Sequence, residues 1–228
     1  MLRPTIHWLL LSASFLLNGC TSGAGAWFDV SKTGIAGIQF PTPQFDSRYR
    51  YLQVGVAGQK IYLILGYVQP HPMGDIDVWY SGSGEVIKIQ NGRVVGTAGL
   101  PVDWREVRLP QLPAWQVVSA EGISFQREVD LMPGYRFGRV HHLHLRRISA
   151  PQSTPGRHWP ASASSSLQWF EEGNASDGSD ALPPSRYAVD LSQPMAQVVY
   201  SEQCLSKDLC LTFEPVPPAR VAQNTALN

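Results

Sequence analysis

The sequence predicts an all-β protein, an antiparallel sandwich or partly open barrel with long loops. Three observations carry this expectation. Short apolar or alternating runs rich in Val, Ile, Tyr and Trp recur along the chain. Turn signals separate them, supplied largely by 20 glycines and 18 prolines. No sustained 3.6-residue period and no strong internal repeat interrupts the pattern. With 228 residues and 43% hydrophobic content the chain can build a real core. The 18 basic residues balance the 18 acidic ones, which argues against a nucleic-acid partner, because such affinity comes from clustered positive charge.

The first element is a targeting segment. "MLRPTIHWLLLSASFLLNGC" has a basic start at Arg3 and an apolar stretch from about Trp8 to Leu17. That stretch is too short to span a bilayer core of about 30 Å as a lone helix. Residues 1–19 read as a signal peptide. Its end, Leu17-Asn18-Gly19-Cys20, resembles the lipobox of bacterial lipoproteins, which makes Cys20 the lipidated N-terminus. An ordinary secretory signal with an incidental cysteine is the alternative. Thr21, not Asp, follows the cysteine, which in the sorting rules of such lipoproteins indicates the outer membrane. Residues 20–37 are then the lipidated end and a tether, 38–216 a single β domain, and 217–228 a flexible tail.

Within the domain, strands are expected in "RYRYLQVGV" (48–56) and "QKIYLILGYV" (59–68), joined by a tight turn at Ala57-Gly58. The second run is almost wholly apolar, as in a strand buried on both faces. "IDVWYS", "EVIKIQ" and "RVVGTAGL" follow. "ISFQREVDLM" (123–132) alternates, turns at Met132-Pro133-Gly134-Tyr135 and returns as "FGRVHHLHLRRIS" (137–149). Residues 150–184 are rich in Ser, Ala, Pro and Gly and read as a long loop with one strand at Ser166–Glu171. "RYAVDLS", "QVVYSEQ" and "LCLTFEP" complete the set. Once Cys20 is assigned to lipid, Cys204 and Cys210 remain, an even pair on a short hairpin that an oxidising compartment would let close into a disulfide. Free thiols or a redox pair are the alternatives, although redox pairs usually have two intervening residues.

The chemistry-bearing patterns are few. The glycine-rich stretch "DVWYSGSGEVIKIQNGRVVGTAGL" (77–100) contains neither a nucleophile elbow, nor a P-loop, nor a dinucleotide fingerprint. It does contain Asn91-Gly92, the strongest two-residue hairpin signal, and Ser81-Gly82-Ser83-Gly84, which suits a second turn. His142 and His144 share a strand face as a metal-binding pair would, but need a third ligand such as His71 or His158. Asp75/Asp77, Glu128/Asp130 and Glu171/Glu172 are the carboxylate pairs available for glycosidic chemistry, which requires two acids facing across a cleft. Trp79, Tyr80, Arg93, Trp159 and Trp169 are candidate contacts for a glycan or a partner, with Trp79 more simply read as core.

Leu65-Gly66-Tyr67, Trp79, Asn91-Gly92-Arg93 and Gly99-Leu100 together resemble the core signature of the YjbF/GfcB family of group 4 capsule polysaccharide lipoproteins. The lipobox position is similar too, and "RYAVDLSQPMAQVVYSEQ" with "LTFEPV" is loosely similar to the family's closing strands. The 150–184 insert and the Cys204/Cys210 pair are not part of that pattern. The resemblance implies an antiparallel β fold and an accessory outer-membrane lipoprotein encoded with capsule or exopolysaccharide export machinery. The family has no established catalytic residues, so none is carried over. The expectation is a non-enzymatic, cofactor-free lipoprotein, lipid-anchored and facing the periplasm, with polysaccharide or export proteins as partners. The rivals are a polysaccharide-modifying hydrolase and a lipid- or glycan-carrying β-barrel.

Overall fold

The computed structural model describes residues 45–152, 167–175, 181–192 and 194–218. Twelve strands form one antiparallel sheet: β1 (Tyr51–Val56), β2 (Gln59–Gln69), β3 (Ile76–Tyr80), β4 (Val86–Gln90), β5 (Arg93–Ala98), β6 (Asp103–Arg108), β7 (Ile123–Met132), β8 (Arg136–Ile148), β9 (Leu167–Asn174), β10 (Ser185–Asp190), β11 (Gln197–Ser206) and β12 (Leu209–Pro215). The order across the sheet is β5-β4-β3-β2-β1-β12-β11-β10-β9-β8-β7-β6. Nearly every neighbour is also a chain neighbour, as expected of hairpins joined by short turns. The exception is β1–β12, where the two ends of the domain meet.

The sheet curls until its outer strands β5 and β6 lie side by side, giving a nearly closed barrel. Asp103 stitches this seam. Its carboxylate accepts hydrogen bonds from Thr97 Oγ1 (2.9 Å), Gly99 N (2.9 Å) and Leu100 N (3.1 Å), while Thr97 Oγ1 accepts from Trp104 N (2.9 Å). The free edge of β5 is covered from inside by one side chain of β11. Gln203 Oε1 accepts from Val94 N (2.9 Å) and Gln203 Nε2 donates to Gly92 O (2.8 Å). An amide thus stands in for a neighbouring strand and removes an unpaired edge.

Two hydrophobic clusters fill the interior. One gathers Leu52, Val54 and Val56 with Trp79, Ile87, Val94, Trp104, Leu211 and Phe213. The other packs Phe125, Leu143, Leu145, Phe170, Tyr187 and Val189 around Trp115, which sits on a single 3₁₀ turn in the β6–β7 connection. The cavity that a lipid-carrying barrel would keep open is therefore occupied by side chains. Cys204 and Cys210 are directly opposed on β11 and β12 and form a disulfide.

Several local expectations change. β2 is not buried on both faces. Its second half runs beyond the start of β1, and Ile64, Tyr67 and Val68 are exposed. β6 is a strand that sequence patterning misses. β9 extends to Asn174, so the 150–184 region contains a full sheet member and not only a short strand in a loop. Residues 1–44, with the signal segment, Cys20 and the tether, and residues 219–228 of the tail lie outside the described residues.

Candidate functional site

The Asn91-Gly92 turn is the hinge on which the site is built. Both residues have positive φ (48° and 80°), as a two-residue hairpin turn of this kind requires. Gly92 packs so closely on Val198 of β11 that a Cβ there would overlap it. The turn therefore drives the following residue, Arg93, inward. Its guanidinium lies between the two hydrophobic clusters and is 3% exposed.

Arg93 Nε donates to Glu172 Oε2 at 2.8 Å, and Arg127 Nη1 approaches Glu172 Oε1 at 3.4 Å. Arg127 also donates from Nε to His141 Nδ1 (3.1 Å) and stacks 4.4 Å from the Trp104 ring centre. Arg93 lies 4.0 Å from the centre of the Trp115 ring, with Tyr187 at 5.4 Å. Two cations thus share one carboxylate in a layer walled by aromatic faces, which stabilise cations electrostatically. Burial lowers the pKa of Arg127 and, together with the charge of Glu172, raises that of Tyr187. Among the described residues the Nη atoms of Arg93 have no hydrogen-bond partner, and the aromatic rings supply their main compensation.

Arg127 also floors a groove of about 750 Å³ that crosses the β5–β6 seam. Gln90, Gln126, Lys88, Arg105 and Val107 are among the residues along it. The volume is that of a small-ligand cleft. On one wall Arg108 is clamped by Glu106 (3.0 Å), Glu128 (2.5 Å) and Asp130 (2.9 Å). The hydrogen bond from Arg108, then that from Gly138 N, holds Asp130 below the ordinary carboxylate range. A general acid needs the opposite shift.

The other sequence candidates are placed as follows. Trp79 is core, and Trp169 is buried against Ala188 and Tyr200, so neither offers a free ring face to a glycan. Arg93 is likewise interior. Tyr80 is exposed and its ring lies against Gly66, where a Cβ would collide with it. Trp159 and His158 lie outside the described residues. His142 and His144 point outward, meeting Gln126 (3.3 Å) and Ser124 (3.1 Å), while His71 meets Gln90 (2.7 Å). Among the described residues no three His, Cys, Asp or Glu side chains are grouped to hold a metal.

Glu171 and Glu172 are neighbours on opposite faces of β9. Glu171 is paired with Arg146 (2.9 Å) and Arg186 (3.2 Å) outside, and Glu172 with the arginines inside. Asp77 pairs with Arg50 at 3.5 Å. The serines of the glycine-rich turn are also engaged, since Ser81 and Ser83 both donate to the fully buried Glu85 carboxylate. Sequence reasoning missed Glu172 as an interior counter-ion. The available signal was the placement of Phe170 and Glu172 two residues apart, on one strand face.

A family model described as group 4 capsule polysaccharide lipoprotein GfcB/YjbF matches residues 44–156. Among solved structures, the hypothetical lipoprotein YmcC from Escherichia coli K12 is similar, with a TM-score of 0.53 and 17% identity over 75% of this chain and 84% of that one. At that identity the likeness concerns the fold. No curated protein matches the chain.

Proposed function

Because the chain belongs to the YjbF/GfcB family of group 4 capsule polysaccharide lipoproteins, we propose that it is a non-enzymatic outer-membrane lipoprotein that assists assembly or export of a capsule or exopolysaccharide. Cys20 carries the lipid, and the domain faces the periplasm. The protein works by contact, through its β surface, with the glycan or with another component of the export machinery.

One structural observation supports contact over catalysis. Of the three carboxylate pairs, Glu128/Asp130 and Glu171/Glu172 are each tied closely to arginine, and Asp77 of the third, which burial pushes above the ordinary carboxylate range, faces Arg50 at 3.5 Å. A hydrolase needs one such acid protonated and a second facing it across the scissile bond. Carboxylate oxygens that already accept hydrogen bonds from guanidinium groups have their lone pairs engaged. The seam groove is suited instead to holding a polar chain: amide side chains can exchange hydrogen bonds with hydroxyl groups, and apolar residues such as Val107 line the same cleft.

Deletion of the gene in its native host, with separate assays of surface and cell-retained polysaccharide, tests this proposal. The expected result is loss of surface polymer with retention inside the envelope. Undiminished surface polymer contradicts the proposal.

A further inference from the structure

On its β8 side the β7–β8 hairpin runs beyond the neighbouring strand β9, while on the other side β7 stays paired with β6 as far as Met132. β8 begins at Arg136, but its pairing with β9 begins only at Leu143. At the tip, Tyr135 and Phe137 are 74% and 61% exposed. Tyr135 also adopts φ 52°, left-handed backbone that a bulky residue rarely occupies. Glycine would serve that turn better, so the fold does not explain the ring. The side chain of Arg136, between the two aromatics, makes no hydrogen bond or ion pair among the described residues, while its backbone pairs with Leu131. The nearby Asp130 carboxylate is already engaged by Arg108 and by Gly138 N (2.8 Å). The tip therefore presents two rings and one unpaired cation. Strain held at an exposed aromatic site and an uncovered apolar surface both point to a binding role.

The tip is remote from the point where the chain enters the domain. The start of β1, where the chain enters the domain, is level with the end of β12, the start of β11, the end of β10, the start of β9 and the end of β8. The first residues of β8 are consequently at the opposite end of the molecule. The tip and the entry of the chain into β1 therefore lie at opposite ends of the sheet. The rings also stand at 62° to one another with centroids 6.4 Å apart, so they offer no common flat platform for a sugar. They form a wedge. Aromatic residues with arginine are the side chains most enriched at the centres of protein interfaces.

We propose that the β7–β8 tip is a docking plug: Tyr135 and Phe137 enter an apolar pocket on a protein of the polysaccharide export machinery, and Arg136 pairs with a carboxylate at its rim. This rests on the export function proposed above and specifies the partner and the surface it uses.

The test places p-benzoylphenylalanine at position 137, and separately at position 117, in the full lipidated chain in native cells. Val117 is similarly exposed at 66%, but lies outside the tip. The expected result is a protein adduct at position 137 identified as an export component, absent at position 117 and reduced at least tenfold by Arg136→Glu in a variant with unchanged thermal unfolding. Adducts equal at both positions, a phospholipid or glycan adduct alone, a protein unrelated to export, or no adduct at 137 overturns the plug. The deletion assay separates the two ideas. If deletion removes surface polymer while position 137 yields no export protein, the plug fails and the export function stands. If surface polymer survives deletion, the export function fails whatever is crosslinked.

Discussion

Glu172 neutralises one of the two guanidinium groups it meets, and all three groups are buried, so its removal is severe. Glu172→Gln leaves two interior cations without an anion and should cost about 3–5 kcal/mol in denaturant unfolding. A loss below about 1 kcal/mol would mean that the aromatic faces alone carry both arginines. Gly92→Ala should be destabilising for a separate reason: it adds a Cβ at φ 80° and against Val198. Val198→Ala should recover part of that loss in the double variant by relieving the contact, while the backbone cost remains. Asp130 gives a pH prediction. Its carboxyl is lowered on folding, so its stabilisation is complete above the unfolded value near pH 4 and disappears as pH falls through the lower folded value. Asp130→Asn should flatten the acid side of the stability profile, measured by unfolding across that range. Arg93 was legible as part of a hairpin signature but not as interior. A polar residue after Asn-Gly looks solvent-facing until the contact of Gly92 with β11 is known.

The elements were read best where alternation is unbroken. The expected runs for β7 and β12, 123–132 and 209–215, coincide with the observed strands. β6 escaped because a bulge between Trp104 and Glu106 disrupts the period of two: Trp104 and Val107 are buried while Arg105 and Glu106 are both exposed. β2 misled in the other direction, since an apolar run cannot reveal that the neighbouring strand ends early. Gln203, the side chain that completes β5, is invisible to any local pattern because its partners are more than a hundred residues away. Gln203→Ala should cost about 2–3 kcal/mol by leaving Val94 N and Gly92 O unpaired in the interior. The Cys204–Cys210 pair was anticipated from cysteine count and hairpin spacing. Its reduction should lower stability by roughly 2 kcal/mol, the entropy of a small closed loop, and should leave the sheet folded. Loss of all β structure on reduction would show that the bond does much more than close a hairpin.

At the scale of the whole molecule, the structure is a barrel filled by two apolar clusters with an ionic layer between them. Its fold class was legible from composition and turn spacing. Closure through Asp103, and the groove above Arg127 that closure creates, depend on contacts between the two ends of the sheet and could not be read from any segment. The account's central claim is that an anchored protein of this kind supports polysaccharide export without catalysis by its carboxylates. The most direct measurement is surface polysaccharide in a deletion strain complemented with wild type, Cys20→Ala, or the double variant Glu128→Gln/Asp130→Asn, at matched protein levels. Wild type and the double variant should restore surface polymer, and Cys20→Ala should not. Full restoration by Cys20→Ala, or failure of a folded Glu128→Gln/Asp130→Asn protein, would contradict the account.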